Sequence, residues 1–424
     1  MSCLMNVILA STFLCSLWGE AAAQGAEVKS IDNAEQFALL CRIYNVAKNP
    51  PINHVDLTDP NKIVEDIDSI NASLPEEKHI NETEKLENSS DAHVKHSTTR
   101  DAAVAQALLS RITRKAHTIP DKIRKVNATR DIEKVKAEFP QVIFGDNGNE
   151  GQLCGGALRG VNERDRAKAC GDKGLSTKGA SAGKKLVVDF FCLCAMRMDS
   201  NQEGIDNVCG VYVGSGKKKG NHGWSTVCPS TSSTMWASIK KECGNLLHQH
   251  PKSTAEGHGV VDDFLRHLKS GGVYRWGENG KESDRKAGML GTSLGEKGNN
   301  GNDLICDGSK GNNKGTPPGG VCVYYGHGKW NDNINWLKQF KAALATVEDA
   351  NNQTVSIQLD IQKLQMLQHR AEEIYETTKA ISGIQKPIGL TAFPNATTKR
   401  LTSYNAAWRY HPHAHFILPW VLLL

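Results

Sequence analysis

Apolar residues recur at spacings of three and four along two long stretches of this chain. From about Thr98 to Phe139 the series is Leu108, Leu109, Ile112, Ala116, Ile119, Ile123, Val126, then Ile132, Val135 and Phe139. From Trp330 to about Ile381 it is Trp336, Phe340, Leu344 and Val347, followed by Ile357, Ile361, Leu364, Leu367, Ala371 and Ile374. This period predicts amphipathic helices. A continuous helix over 98–139 would reach on the order of 60 Å at 1.5 Å per residue. Pro120 should kink or split the first, and Asn351-Asn352 should interrupt the second. Each stripe leaves faces unburied, so the simplest pairing is antiparallel, as a coiled-coil hairpin. A third, shorter helix is predicted over 31–48, with Asp32 as N-cap, Glu35 as its capping-box partner and Pro50-Pro51 as the stop.

Between the long helices the pattern changes. Of 39 glycines, 35 lie between Gly145 and Gly328, and nine of the twelve cysteines lie between Cys154 and Cys322. This middle reads as a loop-dominated, disulfide-stapled lobe with little regular structure. Its most apolar run, Leu186-Val187-Val188 through Phe190-Phe191-Cys192-Leu193-Cys194, is predicted to be a buried strand with both cysteines on one face. Gly214–Gly220, with Lys217, Lys218 and Lys219, reads as an exposed basic hairpin tip, and Glu296–Lys314 as a second exposed loop. The fold class is therefore mainly α: an elongated antiparallel coiled-coil bundle carrying the lobe.

Both ends differ from the rest. Leu4 to Leu17 is apolar and is followed by Ala21-Ala22-Ala23, the order of a cleaved signal peptide over 1–23 with Gln24 as the first mature residue. At the other end, the small trio Asn405, Ala406, Ala407 precedes a polar spacer and the apolar run Phe416–Leu424. That is the arrangement of a glycosylphosphatidylinositol (GPI) signal. Lipid attachment is expected at Asn405, with Ser403 the second candidate, and 406–424 removed. The mature chain then comprises an ectodomain over 24–383, with the lobe at 145–328, and a tether over 384–405.

An extracellular location makes disulfides the default for Cys41, Cys154, Cys170, Cys192, Cys194, Cys209, Cys228, Cys243, Cys306 and Cys322. Sequence leaves their pairing open. N-glycosylation sequons stand at Asn71, Asn81, Asn88, Asn127, Asn352 and Asn395.

Charge and motifs exclude several function classes. With 51 basic and 46 acidic residues the net charge is +5, and no basic run exceeds three, so nucleic acid is not expected as a partner. Gly291-Thr292-Ser293-Leu294-Gly295 matches a hydrolase elbow, but glycines and asparagines follow where a helix is required. Gly214-Ser215-Gly216-Lys217 lacks the P-loop spacing. His411, His413 and His415 leave with the tail, and His248 and His250 read as surface. No catalytic residue, metal, cofactor or small-molecule substrate is expected.

The ordered set of the signal peptide, NAEQFALLCRIYNVAK, VVDFFCLCA, the flanking helices and NAAWRYHPHAHFILPWVLLL resembles an African trypanosome variant surface glycoprotein with a B-type-like N-terminal domain. No cysteine follows Cys322, so the C-terminus is similar to the short tether of the congolense group. The resemblance implies a homodimeric, GPI-anchored coat protein on the outer leaflet of the plasma membrane. Its partners would be the membrane, through the lipid, and host antibodies, and its role shielding and antigenic variation. The competing readings are a GPI-anchored nutrient receptor on the same scaffold, resembling transferrin or haptoglobin–haemoglobin receptors, and a secreted disulfide-rich enzyme.

Overall fold

A computed structural model describes residues 26–55, 59–74 and 92–384, apart from 147, 160, 162–165, 196–204, 206, 214–229, 247–250, 278–279, 297 and 312–318. The expected signal peptide, Asn81, Asn88, Cys228, Asn395, Asn405 and the Gly214–Gly220 tip lie outside the described residues.

The protein is mainly α. Helix α1 (Ala34–Lys48) is followed by α2 (Pro60–Ser73), α3 (Ala92–Thr129) and α4 (Ile132–Phe144). Asp59 caps α2 by accepting from the Asn61 amide at 3.0 Å, with Pro60 in the first turn, where its missing N–H costs nothing. Helix α3 runs through Pro120, and the break comes instead at Arg130. There Asp131 accepts from the Lys134 amide at 2.8 Å and starts α4. At the far end of the chain, α9 (Trp330–Asn333) leads into α10 (Asn335–Ile384), which passes through Asn351 and Asn352 without interruption. Asn351 is spent on tertiary contacts, donating to the Pro51 carbonyl and accepting from the Asn53 amide, both at 2.8 Å.

Helix α10 has 50 residues and spans about 75 Å. It serves two cores. Its first half sends Trp336, Leu337, Phe340, Leu344 and Val347 into the large core of the lobe. Its second half sends Ile357, Ile361, Leu364 and Ala371 into a separate three-helix core, with Ile63, Val64 and Ile67 of α2 and Leu109, Ile112, Ala116 and Ile123 of α3. Helices α3 and α10 run antiparallel: Lys122 meets Asp360, while Lys115, nearly two turns earlier, lines the same groove as Arg370, nearly three turns later. Leu108, read from the sequence as core, is 41% exposed.

The Gly- and Cys-rich middle is more regular than its composition implies. It contains α5 (Arg166–Cys170), α6 (Leu186–Cys194), α7 (Ser230–Asn245) and α8 (Thr254–Ser270), then a four-stranded sheet. The sheet order is β2 (Glu282–Lys286), β1 (Gly272–Trp276), β3 (Met289–Leu294), β4 (Gly320–Tyr324), with β1 and β3 parallel and the other pairs antiparallel. Strands β3 and β4 are wholly buried, while β2, Glu-Ser-Asp-Arg-Lys, is a charged edge. The Glu296–Lys314 segment is likewise not the exposed loop expected, because Asp303, Leu304, Cys306 and Ser309 are buried in it.

The predicted strand at Leu186–Cys194 is helix α6, and all nine of its residues are buried. A helix enclosed on every side carries apolar residues all round and loses its amphipathic period, so composition alone mimics a strand. Helical geometry places Cys192 and Cys194 on different faces. Cys192 bonds Cys170 in α5, and Cys194 bonds Cys209. Cys41 bonds Cys243, joining α1 to α7, and Cys306 bonds Cys322; Cys154 is also disulfide-bonded.

The start of α1 also differs from expectation. Asn33, not Asp32, is the N-cap, and its side chain donates to the Leu193 and Val321 carbonyls, both at 2.8 Å. Asp32 faces Arg275 of β1 instead.

Candidate functional surface

Ser293, the centre of the GTSLG motif, lies inside β3 and is fully buried. Its hydroxyl lies 3.0 Å from the Ile305 carbonyl and 3.1 Å from the Gly319 carbonyl, and turns rather than a helix follow the strand. The residue acts as a strut between β3 and the 305–320 segment.

The described sequons sit on helices. Asn71, near the C-terminal end of α2, accepts from Gln106 Nε2 at 3.1 Å across to α3. Asn127 is exposed in the last turn of α3. Asn352 is exposed on α10, whereas Thr354 of the same sequon is buried and its hydroxyl donates to the Ala350 carbonyl.

One polar cluster lies deep in the lobe. Asp189, the lone acid of α6, is fully buried and accepts from the Gly183 amide at 2.9 Å, the Tyr325 hydroxyl at 2.9 Å and Trp336 Nε1 at 2.6 Å. Burial pushes its carboxyl up to about 7, against the pull of these hydrogen bonds and of Lys178. The Asp189 charge and burial together raise the Tyr325 hydroxyl well above its ordinary value, burial being the larger cause. The turn before α6, the residue after β4 and the start of α10 therefore converge on one carboxyl group. The side chains of Asp189, Tyr325 and Trp336 are all fully buried.

Two adjoining cavities of about 510 and 540 Å³ lie between α1 and α8 and share Arg42, Asp263 and Arg266. Arg42 and Arg266 both pair with Asp263, at 2.7 and 3.0 Å, so the charges close on each other. Hydrogen bonding from Arg42 holds the Asp263 carboxyl below its ordinary value. His267, at one end, has its Nε2 turned inward without a partner, and burial lowers its pKa.

Outside the lobe, α3 and α10 leave a groove of about 550 Å³ floored by Ile119, Met366 and Leu367 and rimmed by Lys115, Lys363 and Arg370. Sequence reasoning missed both the Asp189 cluster and this groove. The signal for the first was a single acid inside a nine-residue apolar run. For the second there was none, since it forms only when two distant helices come side by side. Among the described residues, no group of three or more His, Cys, Asp or Glu is placed to hold a metal, and no helix is long and apolar enough to cross a membrane.

A family model described as the Trypanosomal VSG domain matches residues 17–103 and 92–366, most of the chain. No curated protein matches it.

Proposed function

This chain belongs to the trypanosomal VSG domain family, and from that premise we propose that it is a GPI-anchored variant surface coat glycoprotein that shields the parasite membrane and serves immune evasion by antigenic variation. Membership of the family supports a trypanosome surface coat glycoprotein as the coarse assignment. The mode of anchoring and of action is our reading.

The observation that carries it is α10. A helix of 50 residues that threads both cores gives the molecule one rigid strut about 75 Å long. Such a strut suits a molecule that stands on a surface among copies of itself. We place the lipid on Asn405, after a signal peptide ending at residue 23 and a tether over 384–405. A lipid anchor of two acyl chains holds a protein stably while leaving lateral motion free. Glycans at the six sequons would add to the occluding bulk. The chemistry of the buried clusters is structural, and the role proposed is shielding without catalysis.

The proposed partner is a second copy. Val104, Leu108, Val355 and Leu359 are exposed on α3 and α10, giving apolar surface for a twin to bury. Host antibodies are the other expected contact.

The test is release and abundance. Surface protein freed by a GPI-specific phospholipase should be dominated by this chain, with the ethanolamine-glycan remnant of the anchor on Asn405 identified by mass spectrometry. A scarce protein that captures a serum protein at nanomolar affinity would be the nutrient receptor instead. A chain that keeps Phe416–Leu424 would refute the anchor.

A further inference from the structure

The two cores meet along a polar seam. The core-facing side of α10 is apolar as far as Ala350, in the lobe, and resumes with Ile357, in the three-helix core. Between them stand Asn351, Asn352, Gln353 and Thr354, and the buried Thr354 hydroxyl donates to the Ala350 carbonyl at 2.9 Å. At the same level α3 gives way to α4 at Arg130, whose Nη2 donates to the Asn53 carbonyl at 2.8 Å. Asn53 in turn donates its amide to Asn351 Oδ1, and Asn351 Nδ2 donates to the Pro51 carbonyl, both at 2.8 Å. Such bonds exchange for bonds to water with little net change, so they couple the two cores weakly.

The three-helix arm beyond the seam is lightly built. Helices α2 and α3 pack chiefly on each other and on α10. Among the described residues the arm's core has eleven fully enclosed members, none of them aromatic. The lobe core, in contrast, holds Phe190, Trp236, Phe264 and Trp336. No cysteine lies between Cys41 and Cys154 or after Cys322, so no disulfide staples the arm. Its buried carboxylate, Asp360, takes both Lys122 and Lys363 at 3.1 Å, but desolvation offsets most of what a buried ion pair gains. A core of this size without a staple supplies only a small margin, and helices separated from their packing partners are marginal in water. The exposed apolar residues Val104, Leu108, Val355 and Leu359 all lie on this arm.

We propose that α2, α3 and the second half of α10 open as one unit while the lobe stays folded, and that a second copy seated on the Val104, Leu108, Val355 and Leu359 stripe holds this unit closed. The closed form is the ground state, so α10 remains one strut and the open form is a minor population. A partner that binds only the closed arm stabilises it by mass action. Crowding of copies on a surface therefore completes the strut, and an isolated copy is the one whose arm opens. The closure, though not the opening, rests on the pairing proposed above.

Amide hydrogen exchange of the purified protein, read by mass spectrometry at several concentrations, is the test. In dilute protein, amides of 109–123 and 357–371 should exchange roughly a hundredfold faster than those of α6 and β3. Leu364→Ala, or the milder Ala371→Gly, should speed exchange in all three arm helices at least about tenfold and leave α6 unchanged. Val188→Ala, inside α6, should speed α6 and leave the arm unchanged. Raising the concentration until sedimentation shows a pair should slow the arm at least about tenfold, and Val355→Glu/Leu359→Glu should abolish that slowing without touching the lobe. Equal rates in arm and lobe, or a Leu364→Ala effect of equal size in α6, would overturn separate opening. Arm exchange that ignores concentration while a pair forms would overturn closure by the second copy. A protein that never pairs would overturn both that closure and the pairing itself, and the exchange rates alone would still decide the opening.

Discussion

Trp336 donates its indole N–H to Asp189 at 2.6 Å, joining the first turn of the longest helix to the centre of the most buried one. The same carboxyl takes the Tyr325 hydroxyl and the Gly183 amide. Replacing Asp189 with alanine leaves all three donors buried and unanswered. Each unmet donor costs about 1–3 kcal/mol, so Asp189→Ala should lose at least about 3 kcal/mol. Urea unfolding at fixed pH measures it. A loss under about 1 kcal/mol would mean that water reaches the cluster.

The same residue makes stability depend on pH. Its carboxyl stands at about 7 in the folded protein and at 3.8 unperturbed. Between those values the native state holds the proton that the unfolded chain has released, so stability falls as pH rises through this window. About three pKa units correspond to a contribution on the order of 4 kcal/mol, present below the lower value and lost above the upper. When the proton is bound, Tyr325 is the partner able to turn its hydroxyl and accept it. Asp189→Asn cannot titrate. The stability difference between wild type and this variant should shrink as pH rises from about 4 to about 7.5, and a constant difference would exclude the linkage.

His267 should act in the opposite sense. Burial first, and then Arg285, lower its pKa, while Glu35 on α1 pulls the other way. The unfolded chain therefore takes up a proton that the folded one resists. Stability is intact above the ordinary histidine value of about 6.5 and declines as pH falls below it. Asp263, Arg266 and Arg42 line the same cavity but close on one another. His267→Leu should flatten the loss between pH 7 and pH 5 in denaturant titrations. An unaltered acid limb would show that other groups cause it.

Much of the architecture was legible in the sequence, for a definite reason. Ile112, Ala116 and Ile123, like Ile357, Ile361 and Leu364, keep the helical period because each helix buries only one face. That condition fails inside the lobe. Helix α6 is enclosed and has no polar face to set a period. Strand β2 contains no apolar residue and is held by its ladder to β1. Helix α8 did carry a signal, Val260, Val261, Phe264 and Leu268 after Ser253 and Glu256, but it lay hidden among glycines. Ser253 accepts from the Glu256 amide at 3.4 Å, and Glu256 reaches back to the Lys252 amide at 3.2 Å. Asp32 was read as a cap and is spent on Arg275, a residue far along the chain that local sequence cannot reveal.

The disulfides should differ in worth by the loops they close. Cys41–Cys243 closes 202 residues and Cys194–Cys209 closes 15. Chain entropy gives about 5 kcal/mol for the first and about 3 kcal/mol for the second. Paired Cys→Ala variants, compared by urea unfolding, should keep that order. A reversed order would place the effect in native packing around α6 and not in the unfolded chain.

Leu359 and Leu364 stand just over one turn apart on α10 and should separate scaffold from association. Leu364 is fully buried between α2 and α3, while Leu359 is 52% exposed. Leu364→Ala removes core contacts and leaves a cavity, which costs about 2–5 kcal/mol whatever the protein concentration. Leu359→Glu, together with Val355→Glu, touches no core and should change the unfolding free energy of a monomer by less than about 0.5 kcal/mol each. If a second copy covers this stripe, burying two glutamates in apolar contact carries a heavy desolvation cost. The variant should then sediment as a monomer while its melting at low concentration stays near that of wild type. A dimer that survives both glutamates would move the association surface elsewhere, and Val104 and Leu108 on α3 would be the next pair to alter.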